Sequence, residues 1–209
     1  MPRLNINFDL DGVLVNYLDH LKTFLAKRGI QHIPTGNWFF DTVPEISNEK
    51  LFEYINEAMR DVAQIFPMPG AHAVLRYLHD LTGDPITIVT NRPISNIDVT
   101  VRTIDYVTGG VPYLFAMVDS AKEKPRLIRT KCFIDDRRRT AIGLAKKGYT
   151  VFMPKMEYNT PIIPQEGFSI VNKGKVHQAG VWKRTDGQIH IIKDIRCLLK
   201  SDNLALIIS

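Results

Sequence analysis

Phe8-Asp9-Leu10-Asp11-Gly12-Val13-Leu14 is the stretch that decides the fold. It follows an apolar run, Arg3 to Phe8, that reads as a strand, and it passes through a glycine into a helical pattern. In an open α/β sheet, the carboxyl end of a strand is where ligands bind. Two carboxylates two residues apart at such a place repel, and a divalent ion with a lysine would hold both ionised. For the bare pair, a strand-to-loop cap in which the aspartates bind only backbone amides explains the residues equally well. The remainder of the chain decides between the two.

The first 154 residues alternate helical and strand patterns. Residues 14 to 28 predict a helix with Tyr17, Leu18, Leu21, Phe24 and Leu25 on one face, stopping near Gly29. A loop from Pro34 to Phe40 carries Trp38, Phe39 and Phe40. Ser47 to Val62 predicts a second helix with Leu51, Phe52, Ile55, Met59 and Val62 as its stripe. After Pro67-Met68-Pro69-Gly70, helices are predicted at 71–81, 95–107, 123–130 and 138–147. Strands are predicted at Pro85–Thr90, Val111–Val118, Lys131–Asp135 and Thr150–Met153. This rhythm implies a parallel sheet with helices on both faces and right-handed crossovers.

The character changes after Tyr158, where Pro161 and Pro164 mark a linker. Val181–Thr185 and Gln188–Ile192 flank Asp186-Gly187 and predict a hairpin. Ile195, Leu198 and Leu199 have helical spacing, and Asn203–Ile208 reads as a final strand. The expected organisation is a catalytic core at 1–15 and 67–157, a helical cap at 16–66, and a C-terminal α/β extension at 158–209 that packs on the core.

The 209 residues, 44% of them hydrophobic, suffice for one such α/β unit with a small insertion. No apolar run approaches the roughly 20 residues that span a bilayer, and no cleavage site follows Met1-Pro2-Arg3. Cys132 and Cys197 lack metal-ligand spacing and suit a reducing compartment. A cytoplasmic protein with no membrane partner is expected. A net charge of +5 and a pI near 9.2 favour phosphate-bearing partners, but no long Lys/Arg block marks a nucleic-acid tract.

Three further signals fall at later strand ends. Thr90-Asn91-Arg92 offers a hydroxyl and backbone amides to phosphoryl oxygens, with Asn91 and Arg92 as candidate substrate contacts. Lys122 and Lys124 stand at a helix start, where the helix dipole does not favour a cation, so an anion to contact is implied. Asp135-Asp136 ends the next strand with an acid pair that again calls for a cation.

This ordered set resembles the four motifs of the haloacid dehalogenase superfamily. Asp9-Leu10-Asp11-Gly12 is similar to the first, Thr90 to the second, Lys124 or Lys122 to the third, and Asp135-Asp136 to the fourth, over residues 4 to 154. The resemblance implies a Rossmann-like parallel sheet with a small helical cap after the first strand. It implies a Mg²⁺-dependent phosphomonoesterase in which Asp9 attacks phosphorus, Asp11 serves as acid and base, and Thr90 with Lys124 holds the phosphoryl group. Asp9, the Asp11 carbonyl, Asp135 and Asp136 would hold Mg²⁺. Lys124 is favoured over Lys122 by the following Pro125 and by its spacing to Asp135, which is similar to that in deoxyribonucleotidases.

Within the superfamily, Asp9 to Tyr17 is similar to the opening of the 5′(3′)-deoxyribonucleotidases, departing at Asn16 and Tyr17. That group implies a nucleoside monophosphate substrate, with Tyr17 and Trp38 as base contacts. Phe133–Arg137 is also similar to the fourth motif of polynucleotide 3′-phosphatases, with Arg137, Arg138, Arg139, Lys183 and Arg184 as a possible phosphate track, although the P-loop of the associated kinase is missing. A phosphatase for another small phosphate ester and a binding module without turnover are the remaining alternatives.

Overall fold

The computed structural model describes residues 2–31, 46–120, 122–127, 130–159, 169–171, 178–183 and 187–208. Strand β1 (Ile6–Phe8), buried at all three residues, lies inside an eight-stranded sheet. On one side of it are β2 (Ile86–Thr90) and β3 (Tyr113–Met117); on the other are β4 (Cys132–Ile134), β5 (Thr150–Pro154) and β8 (Gln188–Ile192). These six strands run parallel. Antiparallel β7 (Gln178–Lys183) and β6 (Ser169–Val171) complete the edge. The chain leaves β1 toward β2 and β3, then crosses to β4, so the topological switch lies at β1, where α/β sheets open a crevice.

Side chains alternate between the faces as the pleat requires. Ile134 of β4 and Phe152 of β5 enter the larger core. Phe133, Val151 and Met153 point the other way, against Ala141, Leu144 and Ala145 of helix α6 (Arg138–Ala145) and against Ile189 and Ile191 of β8. On the first face, α3 (Ala71–Thr82) and α4 (Ile97–Thr108) bury Val74, Leu75, Leu78, Ile104 and Val107.

The cap enters and leaves through a narrow neck. Asn16 N donates to Phe66 O at 2.8 Å, Met68 N donates to Leu14 O at 2.8 Å, and Val15 bridges Pro67. Beyond the neck lie α1 (Tyr17–Ala26) and α2 (Asn48–Arg60), capped by the side chains of Asn16 and Ser47. The Tyr17 hydroxyl donates to Ile55 O at 2.8 Å, and His20 Nε2 bonds Ala58 O at 2.8 Å, which pins the two helices together.

Two differences from the sequence reading concern the C-terminal segment and the cap. Asn203–Ile208, expected as a strand, lies in helix α7 (Ser201–Ile207); only Ile208 makes a bridge, to Leu4. Asn203 and Ile207, one helical turn apart, are the buried pair, and Asn203 Nδ2 donates to Cys197 O at 2.8 Å. A short apolar run does not reveal its period by composition alone. Phe52, expected in the buried stripe of α2, is 55% exposed, whereas Leu51, Ile55 and Met59 are buried. β7 and β8 pair antiparallel, with Lys183 opposite Gln188, while Asp186 of the expected turn lies outside the described residues.

Candidate active site

In the parallel register Phe8 stands opposite Ile88 and Ile134, so the residues just beyond β1, β2 and β4 emerge along one edge. Asp9 N donates to Ile134 O at 2.9 Å, and Asp135 N donates to Phe152 O at 3.1 Å, which carries the ladder one step past the strands. Asp9, Asp135 and Asp136 are all buried, and each offers a carboxylate oxygen within 4.8 Å of the others. Lys124, at the start of α5 (Lys124–Leu127), is 2% exposed, with Nζ 3.0 Å from Asp9 Oδ2 and 2.7 Å from Asp135 Oδ2. Lys122 is on the surface. Of the two lysines weighed from sequence, the fold brings Lys124 to the acids.

The Asp11 carboxylate takes a different partner. Arg92 Nε donates to its Oδ2 at 2.9 Å and Nη2 to its Oδ1 at 2.7 Å, while Nη1 donates to Thr103 Oγ1 at 3.2 Å. This is the two-pronged fork that guanidinium and carboxylate favour. Arg92, expected as a substrate contact, lines the cavity between core and cap, with its buried guanidinium engaged by Asp11 and Thr103. Thr90 is buried at the end of β2, its Oγ1 accepting from Arg92 N at 3.3 Å. Asn91 Nδ2 donates to Val118 O at 3.2 Å, which fixes the loop beside it.

Above these residues a cavity of about 460 Å³ opens between core and cap. Asp9, Asp11, Thr90 and Asn91 line its floor, and Leu21, Phe52, Ile55 and Met59 give it an apolar roof. Tyr17 also lines it, its ring 5.9 Å from the Arg92 guanidinium and its hydroxyl committed to Ile55. Trp38, with Phe39 and Phe40, lies outside the described residues.

No family model and no curated protein matches the chain. Solved structures do. CbbY from Rhodobacter sphaeroides, in complex with phosphate, superposes with a TM-score of 0.56 at 14% identity over 98% of this chain and 100% of that one. A haloacid dehalogenase-like family hydrolase from Streptococcus pneumoniae gives a TM-score of 0.50 at 13% identity over 73% and 84%. This chain has the haloacid dehalogenase fold. At such identities the likeness concerns the fold, and the chemistry has to be argued from the residues.

In this haloacid dehalogenase fold the acid cluster is electrostatically unbalanced. Burial pushes the Asp9 carboxyl up to about 7; Lys124 pulls it down, and the charges of Asp135 and Asp11 add to the rise. Burial, with Asp135 and Asp9, raises Asp136 well above the usual carboxylate range. Burial alone would lower Lys124, but Asp135 and Asp9 outweigh it and hold the amine protonated. Three carboxylates against one ammonium leave two negative charges when all are ionised. Asp136 Oδ1 is buried with no hydrogen-bond partner among the described residues. A hard divalent cation with oxygen ligands fits both facts.

Two residues at the site escape a sequence reading. Tyr158 donates its hydroxyl to Asp136 Oδ2, and Asn159 Nδ2 donates to Asp136 O at 2.9 Å. The only signal available is position: they follow β5 at the same sheet edge as the acids. Gly12, at φ +76°, is needed here, because a Cβ would lie 2.2 Å from Asp136 Oδ2.

Proposed function

We propose that this chain is a Mg²⁺-dependent phosphomonoesterase that works through an aspartyl-phosphate on Asp9, with nucleoside monophosphates as substrates. The observation that carries the reading is the buried contact of Lys124 with Asp9 and Asp135 beside the unsatisfied oxygen of Asp136. Asp9 and Asp136 of this cluster line the cavity.

A cation held by Asp9, Asp135 and Asp136, with the Asp11 carbonyl, would neutralise phosphoryl charge. The Asp9 carboxylate oxygen attacks phosphorus, and the ester P–O bond breaks. Asp11 gives its proton to the departing oxygen, then takes one from the water that cleaves the acyl-phosphate and releases inorganic phosphate. Lys124 and the Thr90 hydroxyl hold phosphoryl oxygens. Arg92 holds Asp11 by both carboxylate oxygens, so one oxygen must leave the fork to take up the proton that Asp11 delivers to the leaving group. The phosphate held by CbbY supports a small phosphorylated substrate. The apolar roof and the volume of about 460 Å³ support one with a flat, hydrophobic body, such as a nucleoside.

The test is a panel of phosphate esters with and without Mg²⁺, alongside Asp9→Asn. Mg²⁺-dependent release of phosphate that Asp9→Asn lowers by several orders of magnitude is expected. Retention of more than about a tenth of kcat in Asp9→Asn would remove the mechanism. For the substrate, a 3′-phosphorylated oligonucleotide that beats deoxynucleoside monophosphates tenfold in kcat/KM at low salt would replace nucleotides with nucleic-acid ends.

A further inference from the structure

The chain that follows β5 turns back over the carboxyl edge of the sheet, and the short turn Glu157–Asn159 meets the acid cluster there. Asn159 builds the turn. Its Oδ1 accepts from Met156 N at 2.8 Å, and its Nδ2 donates to Pro154 O at 2.8 Å and to Asp136 O at 2.9 Å. Tyr158 is thereby set against the side chain of Asp136 and donates its hydroxyl to Oδ2. The other oxygen, Oδ1, is buried without a hydrogen-bond partner among the described residues. The two oxygens of one carboxylate are thus distinguished, one tied by a donor and one left open. A Cβ on Gly12 would lie 2.2 Å from Asp136 Oδ2 and 2.7 Å from the Tyr158 hydroxyl, so the nucleophile loop packs onto this pair.

We propose that Tyr158 is a positioning residue for the divalent cation, fixing the rotation of the Asp136 carboxylate so that Oδ1 faces the ion. The proposal rests on the reading of the acid cluster as a Mg²⁺ site. Ligating carboxylates are oriented by their own hydrogen-bond donors, and loss of such a donor typically costs about 10–100-fold in metal affinity. The donor comes from residues beyond the last strand that carries a recognised motif.

The experiment is calorimetric titration of Mg²⁺ into chelator-stripped wild type, Tyr158→Phe and Tyr158→Leu, with the metal-free melting temperature of each as control. Wild type is expected to bind one Mg²⁺, and both variants to bind with Kd raised about tenfold or more, at metal-free melting temperatures within a few degrees of wild type. Equal Kd in wild type and Tyr158→Phe would overturn the role of Tyr158 and leave the Mg²⁺ site standing. Absence of Mg²⁺ binding in wild type would overturn both. Loss of cooperative melting in both variants would also overturn the proposal, since the tyrosine would then be holding the chain rather than the ion.

Discussion

Lys124 is the residue on which the charge balance turns, because it is the ammonium within reach of both Asp9 and Asp135. Removing one partner from a buried ion pair leaves the others uncompensated, at about 3–5 kcal/mol. Lys124→Ala is therefore expected to lose phosphatase activity by orders of magnitude, while surface Lys122→Ala stays close to wild type; equal small losses, measured as kcat/KM on one ester, would refute the assignment. A second expectation concerns pH. The folded Asp9 carboxyl sits near 7 against an ordinary 3.8, so the folded protein holds the extra proton between those values. Stability of the metal-free protein should therefore fall as pH rises from about 4 through 7, and the raised Asp136 carboxyl adds to the fall. Mg²⁺ should restore it at neutral pH, and Asp9→Asn should lessen the slope, leaving the part due to Asp136; melting temperatures across that range, with and without chelator, decide the matter. At this scale Asp9, Thr90, Lys124, Asp135 and Asp136 were legible because each follows a strand pattern in a regular alternation. The Arg92 fork on Asp11 and the Tyr158 bond to Asp136 were not, since they join residues 81 and 22 positions apart that no local period links.

The elements that shape the cavity are α1 and α2, and their apolar stripes serve two purposes. Leu51 and Ile55 are buried, and Tyr17 ties α1 to α2 through Ile55 O. Phe52 instead points from α2 to the cavity and remains more than half exposed. An amphipathic pattern shows that a helix has an apolar face, but not whether each member of it meets protein or a ligand; this is why Phe52 read as core. The same ambiguity hid α7, where Leu204 to Ile208 looks equally strand-like until Asn203 and Ile207 are seen to share a buried face. Phe52→Ala probes the substrate's hydrophobic body, because Phe52 lines the cavity. Loss of a stacking surface is worth on the order of 1–3 kcal/mol, so KM for a nucleoside monophosphate should rise at least severalfold. KM for a minimal aryl phosphate should move much less. A parallel rise for both esters would mean that Phe52 holds the cap and meets no base.

At the scale of the whole molecule, the C-terminal residues are built into the sheet rather than hung from it. β8 pairs with β5 from Thr150–Gln188 to Pro154–Ile192, and Lys155 N donates to Ile192 O at 2.9 Å, directly ahead of the turn that carries Tyr158. Ile189, Ile191 and Ile192 are buried, and Ile189 and Ile191 share the cluster of α6. The antiparallel partnership of β7 and β8 was legible in the sequence, but the parallel pairing of β8 with β5 was not, because a hairpin pattern names its own partner and says nothing of the strand on its far side. Gly187 shows how close that junction is. A Cβ there would lie 2.3 Å from Ala145 O and 2.8 Å from Tyr149 O, both backbone atoms that cannot swing aside as a side chain would. Gly187→Ala must therefore displace either β8 or the end of α6, at a cost of about 1–3 kcal/mol for overpacking. In a chain of this size that should lower the melting temperature by roughly 2–12 °C. If the extension and the core fold as one unit, the whole loss appears as a shift of a single cooperative transition, with the wild-type denaturant m-value kept. A second, earlier transition in Gly187→Ala, seen by circular dichroism and by calorimetry, would instead mean that residues beyond β5 melt by themselves while the acid-bearing strands stay folded.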